Sequence, residues 1–287
     1  MNEKERMKKL IKIINDAAEV YYNTGEEKMP NIEYDKLYDE LEALEKSSGI
    51  ILSDSPTQHA GTDVKNNIAK ITHEYPALSL AKTKDISLFS KTFAVRDNKA
   101  IVMWKEDGGT LVATYDNGKL SSLATRGNGI VGQDITQNAK YIHGLPLGLP
   151  FKTHFVVRGE ALMSYKEFER VNNALPSDVE PYKNPRNLAN STVSLDAEKE
   201  LEHREIWFHA FKLVYNESDY TVTRSRTFYG DMEFLKSLGF ETTEHVLCDV
   251  SDIESVIREM SDRVSKYAFP VDGLVVAAND VEYAESQ

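Results

Sequence analysis

Residues 103–109 read MWKEDGG. A primary amine, two carboxylates and two glycines stand within five consecutive positions, Lys105 to Gly109. An amine that loses its proton is a nucleophile, and a neighbouring carboxylate can orient it or hold a metal ion. The same letters also make an ordinary solvated turn, because Asp and Gly are recruited to turns for their backbone freedom. The heptapeptide alone leaves Lys105 open between a surface charge and a nucleophile. Four other polar residues stand at strand ends or in adjoining loops: Arg126 in TRGNG, Glu160 in VVRGE, Arg186 in NPRN and Asp272 in VDGL. Each has an ordinary reading as well, since charged strand ends are usually solvated.

The elements that must carry these groups can be read from periodicity. Residues 1–23 repeat apolar side chains at helical spacing, with Leu10, Ile13, Ile14, Ala17 and Tyr21 on one face. MPNIEYDKLYDELEALEKSSG predicts a second helix, with Asn31 as N-cap and Tyr34, Leu37, Tyr38, Leu41 and Leu44 as its stripe. Those tyrosines read most simply as a packing face between two antiparallel helices. SDSPTQHAGTD is rich in turn formers and closes this helical unit, with a boundary near residue 69.

Beyond it the texture becomes β-like. AIVMWKEDGGTLVATYDNGKLSSLATRGNG holds apolar runs joined by Asp116-Asn117-Gly118, a strong hairpin signal. HFVVRGEALM, EIWFHAFKLVY and PVDGLVVAAND also read as strands, and NPRN as a loop. SYKEFERVNNAL, RTFYGDMEFLKSLG and VSDIESVIREMSDRVSKY read as helices. Strands and helices do not alternate regularly, so the fold class expected is α+β with antiparallel sheets rather than a doubly wound sheet. No internal repeat or low-complexity tract interrupts the pattern.

Composition bounds what such a chain does. Its 287 residues suffice for one large domain or, more comfortably, two. With 41% hydrophobic and 28% charged residues it reads as a water-soluble globular protein, without an apolar run long enough to span a bilayer. The charged start, MNEKERMKKLIKII, lacks a signal-peptide pattern. Cys248 is the only cysteine, which excludes a disulfide framework and a four-cysteine zinc site. A cytoplasmic protein is expected. Against 34 basic residues stand 46 acidic ones, a net charge of −12, which argues against a broad DNA-coating surface.

The ordered series HEYPALSL, KEDG, DNGKL, ATRGNG, VVRGEAL, YKNPRNLA, WFHAFKLV and DGLVV resembles the nucleotidyltransferase part of bacterial NAD-dependent DNA ligases. Ahead of it, EYDKLYDELEALE and SDSPTQHAG resemble the small helical domain of the NAD-using branch. The resemblance covers nearly the whole chain. It implies a helical domain over residues 1–69 that binds nicotinamide mononucleotide (NMN). It also implies a nucleotidyltransferase domain of the DNA ligase and mRNA capping type over residues 70–287, without its last motif.

The family's lysine attacks the α-phosphate of NAD, NMN leaves, and AMP stays on the enzyme. By resemblance Lys105 is that nucleophile. Such a lysine must be neutral, so its pKa must fall from about 10.4. Burial, cations or a metal would do that, whereas a carboxylate alone pushes the other way. Asp107 and Glu160 would orient the lysine, contact ribose and help place Mg²⁺. Arg126 and Arg186 would hold phosphate or ribose oxygens, and Asp272 belongs to the same constellation. Gly108 would let backbone approach the nucleotide closely. Ser79 and Leu80 match positions that touch adenosine. Phe211 matches an aromatic ring stacked on adenine, and reads equally well as a core aromatic. Tyr21, Tyr22, Tyr34 and Asp35 are the matching candidates for the NMN half, where aromatics favour a cationic ring.

Several positions depart from the family pattern. Ala277 stands where a lysine commonly follows DGVVI, and ANSTVSLD lacks a second arginine found in many relatives. Met103 replaces a frequent glutamate, Asn31 an aspartate, and Tyr22 a histidine. The chain also stops before the family's last motif, so a fragment competent at most for self-adenylation is expected. Nicked duplex DNA is then the partner of the full-length enzyme, with weak or no DNA binding here, and a monomer is expected. Closure of the helical domain about SPTQHAG on binding NAD is a further expectation. Two competing readings remain: a nucleotide-binding pseudoenzyme or interaction domain, and a ligase or capping relative that uses ATP or GTP.

Overall fold

A computed structural model of the protein describes residues 3–24, 28–50, 52, 55–57, 69–77, 98–194, 198–214 and 227–281. Two compact units are present. One comprises Met1–Leu80 with Ala124–Asp134, the other Ala81–Leu123 with Ile135–Gln287. No helix among the described residues is long and apolar enough to cross a membrane.

In the first unit, helices α1 (Glu3–Thr24) and α2 (Asn31–Ser48) pack on a core of Met7, Leu10, Ile11, Ile14 and Leu41. Tyr34, Leu37, Tyr38, Leu44 and Leu52 close over it. The buried stripe of α1 takes in Met7, Ile11 and Ala18 and leaves Ile13 half-buried, because its centre lies slightly off the face expected. The cap of α2 is Pro30, not Asn31. The extended Pro30 offers its carbonyl to the N–H groups of Glu33 (2.8 Å) and Tyr34 (3.0 Å), so Asn31 already lies inside the helix. Gly49, at φ 67°, ends α2 in the left-handed region, where glycine escapes the Cβ penalty. Arg6 clasps Glu40 through two bonds of 2.7 and 2.6 Å, tying α1 to α2. The buried Glu45 accepts from Ser55 Oγ (2.5 Å) and Thr57 Oγ1 (2.6 Å), which pins the start of SPTQHAG to α2. Residues 58–61 of that linker lie outside the described residues. Strand β1 (Lys70–Thr72) pairs antiparallel with β5 (Val131–Gln133).

The second unit is built on two sheets. Strand β2 (Lys99–Glu106) is central in the order β10-β2-β9, with β9 His245–Asp249 and β10 Val271–Ala278. The five-stranded sheet has the order β4-β3-β7-β8-β6, with β3 Gly109–Asp116, β4 Lys119–Thr125, β6 Ile142–His143, β7 Phe155–Leu162 and β8 Ile206–Val214. Pairing is antiparallel as expected, except that β6 runs parallel to β8. Asn117 (φ 51°) and Gly118 (φ 76°) both take positive φ between β3 and β4, the geometry that matches the twist of a two-residue hairpin.

The helices of this unit are α3 (Tyr165–Asn173), α4 (Pro185–Val193), α5 (Glu198–Glu202), α6 (Phe228–Ser237) and α7 (Ile253–Arg263). One face of β2 (Ala100, Val102, Trp104) meets Ile253 and Met260 of α7. The five-stranded sheet buries Leu111, Tyr115, Phe155, Phe208 and Met232 in a larger core. Strand β9 and helix α4 escape the periodicity argument. HVLCD is short, and NPRNLANSTV is too polar to show an apolar stripe. Helix α4 is instead specified at its start, where Asn184 Oδ1 accepts from the N–H of Asn187 (2.8 Å) and Pro185 fills the first turn.

Burial also gives the fold a pH dependence. The His245 side chain is 2% exposed. Desolvation lowers its pKa below the usual 6.5, against a bond to the Thr243 carbonyl that favours the charged form. Unfolding therefore takes up a proton at this site. The stability it supplies is full above pH 6.5 and is lost as pH falls toward the folded-state value. Thermal melts between pH 7.5 and 5.5 are expected to fall in wild type and to flatten in His245→Asn. Parallel pH profiles for the two proteins would contradict that assignment.

Candidate active site

Strand alternation decides where Lys105 points. Cross-strand partners share a face, and the pairs Ile101–Ala277, Met103–Val275 and Lys105–Gly273 stand on the side of β2 away from α7. Register slips in β10: Val271 pairs with Glu106 and Gly273 with Lys105, leaving Asp272 unpaired in a bulge. Bulges re-aim side chains. Here the bulge brings the Asp272 carboxylate onto Lys105 Nζ in a short ion pair. The amine is thereby fixed in direction with a proton acceptor against it. Both side chains stay substantially exposed, 40% and 54%.

Asp107 and Gly108 carry the chain from β2 to β3. Arg186 Nη1 donates to Asp107 Oδ1 at 2.6 Å. The Gly108 N–H donates to Glu160 Oε1 (3.1 Å), and Thr110 Oγ1 to Glu160 Oε2 (3.0 Å). A Cβ on Gly108 would overlap the Ala161 carbonyl oxygen, a backbone atom that cannot swing aside, so this position requires glycine. Arg186 does not sit in a loop, as NPRN suggests, but in the first turn of α4. A helix holds its guanidinium more rigidly than a loop would.

Lys105, Asp107, Gly108, Glu160, Arg186 and Asp272 thus form one constellation. Phe211 belongs to neither buried cluster of this unit. It is half-buried and is the unpaired residue of a bulge in β8, between Ala210, which pairs with Gly159, and Lys212, which pairs with Arg158. Arg126 belongs to the first unit. Its carbonyl accepts from Gly129 N–H (3.0 Å) and lies 2.9 Å from His73 Nε2, while Asn128 Oδ1 takes the N–H groups of Ile130 and Val131. Gly127 (φ 55°) and Gly129 (φ 87°) permit that tight loop. In the helical pair Tyr34 is half-buried against the core and Asp35 is exposed. Ser79, Leu80 and the side chains of Tyr21 and Tyr22 lie outside the described residues.

The residue between Lys105 and Asp107 also matters. Alternation turns Glu106 inward, where it is buried. It accepts from Tyr267 OH (2.5 Å) and Thr243 Oγ1 (2.8 Å), and His209 Nδ1 lies 2.6 Å away. Burial, then Glu106 itself, raises the Tyr267 hydroxyl far above its usual pKa, so it remains a donor. Glu106 therefore ties β2, the strand of Lys105, to β8 and to the 243 and 267 segments. Its signal was present in the sequence as an acid at the inward phase of an apolar strand.

Two departures prove to be neighbours. Met103 and Ala277 stand diagonally across β2 and β10 on the Lys105 face, Met103 buried and Ala277 half-buried. Among the described residues no three acids, histidines or cysteines converge as a metal cage.

Two family models match the chain. Residues 65–286 match the NAD-dependent DNA ligase adenylation domain, and residues 1–61 the DNA ligase-like N-terminal NAD+-binding domain. A DNA ligase of Ruminiclostridium cellulolyticum is 39% identical over 280 residues, spanning 98% of this chain and 42% of its own length. One from Lachnoclostridium phytofermentans is 37% identical over 284 residues, spanning 99% and 43%. The chain spans less than half the length of these curated relatives. Because the adenylation-domain match alone takes in most of its residues, the chain belongs to the NAD-dependent DNA ligase family.

Proposed function

We propose that this chain adenylates itself from NAD, the first step of sealing 5′-phosphate/3′-hydroxyl nicks in duplex DNA. The observation that carries the reading is Lys105, its amine aimed by Asp272 beside the Asp107–Arg186 pair. The lone pair of Nζ attacks the α-phosphorus of NAD. An N–P bond forms, the P–O bond to NMN breaks, and NMN departs with the electron pair. Asp272 accepts the proton that the amine sheds. Arg186 and Arg126 balance charge on the phosphate oxygens, Glu160 and Asp107 hold the ribose side, and Phe211 stacks on adenine. Gly108 gives the nucleotide room.

Residues 1–69 receive the NMN half through Tyr21, Tyr22, Tyr34 and Asp35, and residues 70–287 carry the chemistry. The match of residues 1–61 to an NAD+-binding domain supports NAD over ATP as donor. Magnesium typically binds one or two carboxylates plus substrate phosphate and water, a demand that Asp107 fits. When bound it neutralises phosphate charge. The net charge of −12 supports a reading in which nicked DNA is gripped chiefly by parts of the relatives beyond this chain's span.

The test is intact-protein mass after incubation with Mg²⁺ and either NAD or ATP. A gain of one AMP from NAD alone is expected. A gain from ATP would place the chain with ATP-using relatives. Binding of NAD without any gain would make it a nucleotide-binding protein that lacks the transfer step.

A further inference from the structure

Helix α4 presents a second residue to the loop that follows Lys105. Asn190 lies one turn beyond Arg186 and so shares its face. Arg186 reaches Asp107, and Asn190 reaches Gly109. A Cβ on Gly109 would fall inside the van der Waals radius of Asn190 Oδ1. The φ of Gly109 is not positive, so its backbone does not demand glycine. The space does, because the Asn190 carboxamide occupies the volume where a side chain at 109 would stand. Asn190 is half-buried, and its carboxamide has no hydrogen-bond partner among the described residues. An amide held in place by shape, with one acceptor and two donor hydrogens unused, is equipped to meet a ligand.

We propose that Asn190 is a nucleotide-contacting residue, and that Gly109 is glycine in order to admit it. Its neighbours suggest which part of the nucleotide it meets. Gly108 and Thr110, on either side of Gly109, both donate to Glu160, so a carboxylate stands beside the residue that the amide touches. Carboxylates accept from hydroxyls and repel phosphates. A ribose hydroxyl, which both donates and accepts, suits a carboxamide beside them. The inference rests on the self-adenylation reading but adds a contact to it.

Titration calorimetry with NAD, and the single-turnover rate of adduct formation, would be measured for wild type, Asn190→Ala, Gly109→Ala and the double variant. Loss of one ligand hydrogen bond predicts a Kd raised about three- to tenfold in Asn190→Ala, with the maximal rate little changed. Gly109→Ala should weaken binding to a similar degree, because its methyl claims the volume that the Asn190 carboxamide occupies. The double variant should be no worse than either single one. With NAD analogues lacking the adenosine 2′- or 3′-hydroxyl, the Asn190→Ala penalty should vanish for one of the two. Additive penalties would show that Gly109 and Asn190 act separately and overturn the proposal. So would a penalty that survives on both analogues. A wild type that neither binds NAD nor forms an adduct overturns the function reading, and this inference with it. A wild type that does either, matched by all three variants, overturns this inference alone.

Discussion

Lys105→Ala will form no AMP adduct from NAD, and will fold as well as wild type. The substitution removes the only atom the mechanism uses to attack phosphorus, so the loss in rate is complete rather than partial. Its effect on stability is small. The ion pair with Asp272 is largely exposed, and exposed pairs contribute about 0–1 kcal/mol. Lys105→Arg will fail as well, because a guanidinium keeps its proton at any working pH. Intact mass reports the adduct and a thermal melt reports the fold. An adduct persisting in Lys105→Ala would assign the chemistry to another residue and remove the basis of the proposed function.

Glu106→Ala will produce the largest loss of stability among single changes near the site. The carboxylate accepts from Tyr267 and Thr243 and contacts His209 in a pocket closed to water. Deleting it leaves buried donors without an acceptor, at about 1–3 kcal/mol each. A combined cost of about 3–5 kcal/mol lowers Tm by roughly 6–20 °C for a domain of this size. Adduct formation should slow at temperatures where the protein is still folded, since Glu106 adjoins Asp107 and holds the end of β2 to Thr243 and Tyr267. Glu106→Gln keeps the volume and one acceptor, so its loss should be smaller. A melt of Glu106→Ala within a degree or two of wild type would show that the network carries no weight.

The sequence made these groups legible to different degrees. Lys105, Asp107, Glu160, Arg186 and Asp272 could be picked out because each lies in a short motif in a fixed order. Their mutual contacts could not, because they depend on a bulge in β10 and on α4 crossing the Asp107–Gly109 loop. A one-residue slip in register reverses every side chain of a strand, and no local signal announces it. Asn117-Gly118 announced its hairpin because positive φ is written in residue type. Helix α4 was concealed by its polar sequence, although its cap was readable in Asn184-Pro185. Glu106 was legible only through strand parity, as an acid at the inward phase of β2. Asn190 gave no sign of its own, since its role arises from the absence of a side chain at Gly109.

The pairing of Lys105 with Asp272 joins residues 167 positions apart, while Asp107–Arg186 spans 79 and Gly108–Glu160 spans 52. Such a site has high contact order, and loops of that length close slowly. During synthesis at about 5–20 residues per second, roughly ten to thirty seconds separate emergence of Lys105 from that of Asp272. Through that interval β2 exists without β10. A nascent chain therefore holds Lys105 unaimed, and the Lys105–Asp272 contact arrives with β10 rather than with the KEDG motif.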